Sequence, residues 1–101
     1  MKPRDATSST WASLEQVYLI ERDAGLLCRI LGLYAARGID VLRADYAYAA
    51  QDVMTLKVCA AIELADTAEA LRVLVEKAAT FAGVLAAAEQ PSALRPLPSL
   101  T

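Results

Sequence analysis

The sequence predicts an α+β fold: a four-stranded antiparallel sheet with two helices on one face, in the order β-α-β-β-α-β. Three observations predict it. Leu26, Leu27, Ile30, Leu31 and Tyr34 recur at helical spacing between Asp23 and Gly38. Met54, Leu56, Val58, Ala60, Ile62 and Leu64 alternate with Thr55, Lys57, Cys59, Ala61 and Glu63, the period of a strand. Only Gln51 and Asp52 separate that strand from the β-rich segment before it, which suits an antiparallel hairpin. Two β-α-β units with right-handed crossovers then share one sheet.

Each element has its own local warrant. Residues 1–13 are polar and rich in Ser and Thr, and read as a flexible N-terminal arm in which Trp11 docks weakly on the domain. Residues 14–22 form the first strand, where Val17, Tyr18, Leu19 and Ile20 make an unbroken apolar run suited to a central strand covered on both faces. Asp23 is a good N-cap for a helix over about 24–37. Arg37 suits the negative end of that helix, and Gly38 the left-handed position beyond it. Residues 39–50 and 53–64 are the second and third strands. Asp66 followed by Glu69 resembles a capping box for a helix over 67–79, with Leu71, Leu74, Val75 and Ala78 on one face.

The segment 80–89 is ambiguous from composition. Its alanines favour a continued helix, with Leu71, Leu74, Ala78, Ala82 and Leu85 as one stripe. Gly83 weakens that helix, and Phe-Ala-Gly-Val-Leu is tolerable as a short strand. Residues 90–101 carry three of the four prolines and read as an extended or disordered Pro-rich C-terminal tail.

The totals narrow the function classes. A chain of 101 residues fits one small domain. A formal net charge of −2 argues against a nucleic-acid footprint. Tyr46 and Tyr48 share a strand face that could stack bases, but the third strand lacks the accompanying aromatic pattern. Hydrophobic content is 56%, much of it alanine, which hints at oligomerisation. There is no histidine, the commonest general base and metal ligand. Cys28 and Cys59 form no CxxC pair and read as reduced, packed thiols of a cytoplasmic protein. No metal or cofactor is expected. The opening "MKPRDATSSTWAS" lacks the apolar core of a signal peptide, and no run approaches the roughly 20 apolar residues that span a bilayer. No nucleophile–base pair stands at a recognisable spacing, so an enzyme has little footing and a catalytic site is not expected.

The stretch "ERDAGLLCRILGLYAARGIDV" resembles the opening of an ACT domain, especially that of the small regulatory subunit of acetolactate (acetohydroxyacid) synthase. Gly25, Leu27, Arg29, Ile30, Gly32, Leu33, Tyr34, Arg37 and Gly38 stand at the matching places. The resemblance covers about residues 14–88 of a domain placed at 14–89, is specific over 21–46 and weak beyond 60, and tips 80–89 towards a fourth strand. It implies a ferredoxin-like, non-catalytic regulatory module that pairs as a homodimer. Such a module binds an amino-acid-like effector, a catalytic partner such as the large subunit of acetolactate synthase in branched-chain amino acid biosynthesis, or both. The implied effector site takes Arg22, Asp23, Ala24, Gly25 and Leu26 from one chain and Asp40 and Val41 from the other. A helix N-terminus there offers N–H groups to a carboxylate, and Gly25 lets it approach.

Arg22 and Asp40 replace asparagines common in the family. Either Arg22 grips a carboxylate or it fills the pocket; either Asp40 accepts an ammonium or it pairs with Arg22 across the interface. Without the resemblance, Arg22 and Asp23 are a solvated charge and a helix cap, Gly25 relieves crowding, and Asp40 is a polar residue at a turn. The alternative function is therefore a stand-alone structural or interaction dimer with no small-molecule effector. A small enzyme of the same topology is the remote third.

Overall fold

The computed structural model describes residues 12–62 and 66–96 of the chain. Six elements follow in order: β1 (Ala12–Glu21), α1 (Ala24–Ala36), β2 (Val41–Ala50), β3 (Val53–Ile62), α2 (Thr67–Ala78) and β4 (Val84–Pro96). The strands lie in the order β2-β3-β1-β4, every neighbouring pair antiparallel. This is the ferredoxin-like βαββαβ arrangement that the sequence predicts.

The core lies between the sheet and the two helices. Leu14, Tyr18 and Ile20 of β1 and Leu56, Val58 and Ala60 of β3 meet Leu26, Ile30 and Tyr34 of α1 and Leu71, Leu74 and Ala78 of α2. Fully burying one such side chain contributes about 1.5–3 kcal/mol. On β1 the buried residues alternate with half-buried Val17 and Leu19. The apolar run thus marks a central strand, as expected, but the helices cover only one of its faces.

Local chemistry sets both ends of α1. Asp23 accepts hydrogen bonds at its carboxylate from the N–H groups of Gly25 and Leu26. At the other end, Gly38 has φ +66°, its N–H donates to the Ala35 carbonyl, and the Ile39 N–H donates to the Tyr34 carbonyl. That is a complete Schellman motif. Arg37 donates to the Leu33 carbonyl.

α2 departs from expectation. Asp66 makes no side-chain cap, its backbone at φ −88° and ψ 1° being outside the extended conformation a cap takes, and Glu69 turns forward along the helix to Arg72, which also pairs with Glu76. The expected capping box is therefore absent.

The segment after α2 is a strand that begins at Val84 and runs on to Pro96, so backbone 90–96 belongs to β4. Gly83 makes the break, with φ +96°; a Cβ there would stand 2.8 Å from Leu26 Cδ2. A helix cannot continue through that conformation.

The cysteines also differ from expectation. Cys28 is exposed and Cys59 half-buried. Cys28 falls two residues past Leu26, off the buried stripe of α1. Residues 1–11, which include Trp11, and Glu63 and Leu64 lie outside the described residues.

Candidate functional site

The β1–α1 loop is held by its own chain. Arg22 leaves the end of β1, its N–H donates to the Asp52 carbonyl, and its guanidinium pairs with Asp52 Oδ1 at 2.8 Å. Asp52 can offer both groups because it sits in the two-residue turn between β2 and β3 with φ +57°, a left-handed conformation that Asp tolerates. The pair is mostly solvated and contributes little to stability, but it gives Arg22 a partner other than Asp40.

Asp23 is already committed to Gly25 and Leu26, so two of the N–H groups at the start of α1 are satisfied. Gly25 has a local explanation as well. A Cβ added to it would lie 3.3 Å from Asp23 Oδ1, tighter than nine in ten real Cβ contacts, so the glycine leaves the capping carboxylate room that a side chain would crowd. Ala24 is exposed and Leu26 is buried in the core. Glu21, Arg22, Asp52, Val53 and Leu85 bound a shallow cleft of about 520 Å³ at this end of the sheet.

Asp40 and Val41 stand at the opposite end. β1 and β2 each run antiparallel to β3, so they run parallel to one another. Glu21, at the end of β1, is opposite Val53, while Val41, at the start of β2, is opposite Ala60. Seven strand steps separate the two points, roughly 23 Å. Asp40 accepts the Ala61 N–H at its carbonyl, and its side chain is exposed beside a cleft of about 300 Å³ between the end of α1 and the start of α2. Val41 is 38% exposed. One chain therefore separates the two groups of residues that the sequence pairs.

A second polar constellation lies inside the molecule. Tyr18 and Tyr34 hydroxyls are 2.7 Å apart, Tyr34 donates to Gln16 Oε1 at 3.0 Å, and Gln16 Nε2 donates to Glu89 at 3.4 Å. With Tyr34 donating to Gln16, Tyr18 donates to Tyr34. Gln16, Tyr18 and Tyr34 are fully buried. Burial pushes the Tyr18 phenol up to about 12, partly offset by its bond to Tyr34, with the Glu89 charge adding to the rise. Tyr34 is raised in the same direction, chiefly by burial. Both tyrosines stay protonated and act as donors. Tyr34 reads in sequence as one more member of an apolar stripe. The signal that could have exposed the network is Gln16, a polar residue in phase with Leu14, Tyr18 and Ile20.

Among the described residues, no three His, Cys, Asp or Glu side chains gather as a metal would require, and no helix is long and apolar enough to cross a membrane.

No family model matches the chain, and no curated protein does. Solved structures do. The C-terminal domain of the MgtC protein from Mycobacterium tuberculosis is similar at TM-score 0.70 and 15% identity, over 84% of this chain and 92% of that one. The ACT domain of GTP pyrophosphokinase from Chlorobium tepidum is similar in its crystal structure at TM-score 0.64 and 15% identity, over 80% of this chain and 100% of that one. Its solution structure gives 0.62 and 15%, over 80% and 88%. At such identities the likeness is one of fold, and the fold is ACT-like.

Proposed function

We propose that this chain is a non-catalytic regulatory module that works as a homodimer and binds an amino-acid-like effector, a catalytic partner such as the large subunit of acetolactate synthase, or both. One observation carries the reading: Arg22–Leu26 and Asp40–Val41 lie at opposite ends of one sheet. A second chain laid antiparallel along β2 brings the start of its own β2 towards the loop end of the first, so a site built from both groups is a property of the pair. The ACT-like fold supports this reading.

The loop constrains what an effector does there. Its carboxylate meets a helix N-terminus where Asp23 already occupies Gly25 and Leu26. It must displace Asp23 or engage the remaining N–H groups, while Asp40 of the other chain is free to take its ammonium. The same two facts, the Asp23 cap and the Arg22–Asp52 pair, favour a second reading. In that reading the chain is a structural or interaction dimer with no effector.

Calorimetric titration of the full chain with valine, leucine and isoleucine separates the two. Heat that disappears in Asp40→Ala supports an effector. An intact dimer that gives no heat removes the effector, and co-purification with a catalytic subunit then separates the partner-binding form of the first reading from the second. Failure to form a dimer at any concentration removes both.

A further inference from the structure

The β1–α1 loop owns two groups suited to an anion, and the chain fills both with its own carboxylates. The N–H groups of Gly25 and Leu26, at the start of α1, donate to Asp23 Oδ1. The Arg22 guanidinium donates through one nitrogen, Nη2, to Asp52 Oδ1 at 2.8 Å and makes no other side-chain hydrogen bond among the described residues. The two carboxylates differ in kind. Asp23 is the helix cap, supplied by the residue next to α1, and its departure would leave helix N–H groups unsatisfied. Asp52 comes from the β2–β3 turn, thirty residues on, and the side chains of its pair are 65% exposed at Arg22 and 81% at Asp52. A pair so solvated is weak, and this one uses a single bond where arginine and a carboxylate can form two in parallel. The turn itself does not require a carboxylate. Its left-handed position, φ +57° at Asp52, is as open to Asn or Gly, and the backbone link from the Arg22 N–H to the Asp52 carbonyl needs no side chain.

We propose that Asp52 stands in for a ligand carboxylate: it holds the Arg22 guanidinium until an incoming carboxylate replaces it. This rests on the effector reading above and adds the regulation of that site. The exchange costs the fold little. The backbones of Arg22 and Asp52 stay bonded, so only side chains move, and the released Asp52 carboxylate is already mostly in water. The incoming group takes the two-pronged grip that Asp52, fixed in its turn, does not take. It enters the cleft beside the pair, where half-buried Val53 and Leu85, 54% exposed, offer an aliphatic wall. The loop thus divides its work: Asp23 keeps α1 capped, and Arg22 is the exchangeable anion site. The device sets a threshold. While Asp52 holds Arg22, only the fraction of chains with a free guanidinium accepts a ligand, and the apparent affinity falls by that fraction. For an exposed ion pair the reduction is about two- to fivefold.

Calorimetry of the full chain with leucine, valine and isoleucine tests the exchange in wild type, Asp52→Asn, Arg22→Gln, the double variant and Glu21→Gln. Asparagine keeps the left-handed turn and its carbonyl while removing the charge. Asp52→Asn is expected to bind about two- to fivefold more tightly than wild type. Arg22→Gln is expected to bind more weakly, and Asp52→Asn added to it should gain nothing, because no guanidinium is left to release. Glu21→Gln removes an equal charge from the same cleft, so it separates the exchange from a general change of field; it should show no gain. Heat that appears only in Asp52→Asn supports the proposal in its strongest form. Equal affinities for wild type and Asp52→Asn overturn it and leave the effector reading standing. So does a gain that persists beside Arg22→Gln or appears equally in Glu21→Gln, and so does an Arg22→Gln chain that binds like wild type. Heat in none of the chains overturns the proposal together with the effector reading, since an Arg22 that Asp52 merely blocked would open in Asp52→Asn.

Discussion

β2 and β4 close the same sheet on opposite sides and are made differently. β4 is tied inward. Val84 and Ala87 pack against the core, and Glu89 takes the end of a hydrogen-bonded chain that runs through Gln16 to Tyr34 and Tyr18. Its outline is irregular, with Leu85 extra opposite Leu19 and Ile20 and the long bulge at 91–94. β2 sends no side-chain hydrogen bond into the core among the described residues. Every residue from Val41 to Ala50 is exposed except half-buried Leu42, and the strand's own ion pair, Arg43 with Asp45, faces solvent. The difference separates two jobs. Interactions that hold the monomer together gather around β4, where irregularity spoils the edge for pairing. β2 is left regular and lightly committed, able to gain a neighbour without loss to the fold.

The sharpest way to break this contrast is at the start of β4. Gly83→Ala puts a Cβ 2.8 Å from Leu26 and forces a side chain onto φ +96°. The expected loss is about 2–4 kcal/mol in urea unfolding. A loss under about 0.5 kcal/mol would mean that β4 is not seated through this junction.

Next comes the buried network. Tyr34→Phe removes the donor to Gln16 and the acceptor for Tyr18 while keeping the ring in the core. Leaving those partners unsatisfied is expected to cost about 1–3 kcal/mol. An unchanged midpoint would show that the network does not anchor β4.

The same network sets a pH dependence. Folding raises the Tyr18 phenol from its ordinary value near 10 to about 12, and raises Tyr34 in the same direction. The unfolded chain releases these protons first. Stability is therefore full below about pH 10 and falls as pH rises towards 12. The urea midpoint should decline over that window, and Tyr34→Phe should flatten the decline. A midpoint level to pH 12 would contradict the burial of both hydroxyls.

How much of this was legible in the sequence follows from the range of the forces involved. α1 was legible at both ends because its caps are local: Asp23 reaches two and three residues ahead, and Gly38 and Ile39 donate to carbonyls three and five positions back. β3 was legible because the face covered by the helices imposes alternation from Leu56 to Ala60. Residues 80–89 were ambiguous because alanine decides nothing by itself. What makes them strand is distant: Tyr18 beside Ala87, Gln16 beside Glu89, and the Leu26 side chain against Gly83. The Asp66–Glu69 box misled because Asp66 does not take the extended backbone of a cap and Arg72, one turn on, holds the Glu69 carboxylate. At the candidate site, the spacing of Arg22 to Gly25 was visible, but the partner of Arg22 was not. Asp52 arrives through a hairpin thirty residues later, and no periodicity announces it.

The smallest effect on folding belongs to the other edge. Tyr48 is 66% exposed and makes no side-chain hydrogen bond among the described residues. Tyr48→Ser removes an aromatic ring from a site where little apolar surface is buried, and serine is somewhat less favourable than tyrosine in a strand. At concentrations too low for the proposed pair to form, the expected change is within about 0.5 kcal/mol. At concentrations that populate the pair, the same substitution should lower the urea midpoint, because association stabilises the folded state by mass action. A Tyr48→Ser penalty independent of protein concentration would place the ring in the monomer's own packing, and β2 would then be an anchored edge like β4. A penalty that grows with concentration, beside a Tyr34→Phe penalty that does not, is the pattern expected when one edge maintains the fold and the other receives the partner.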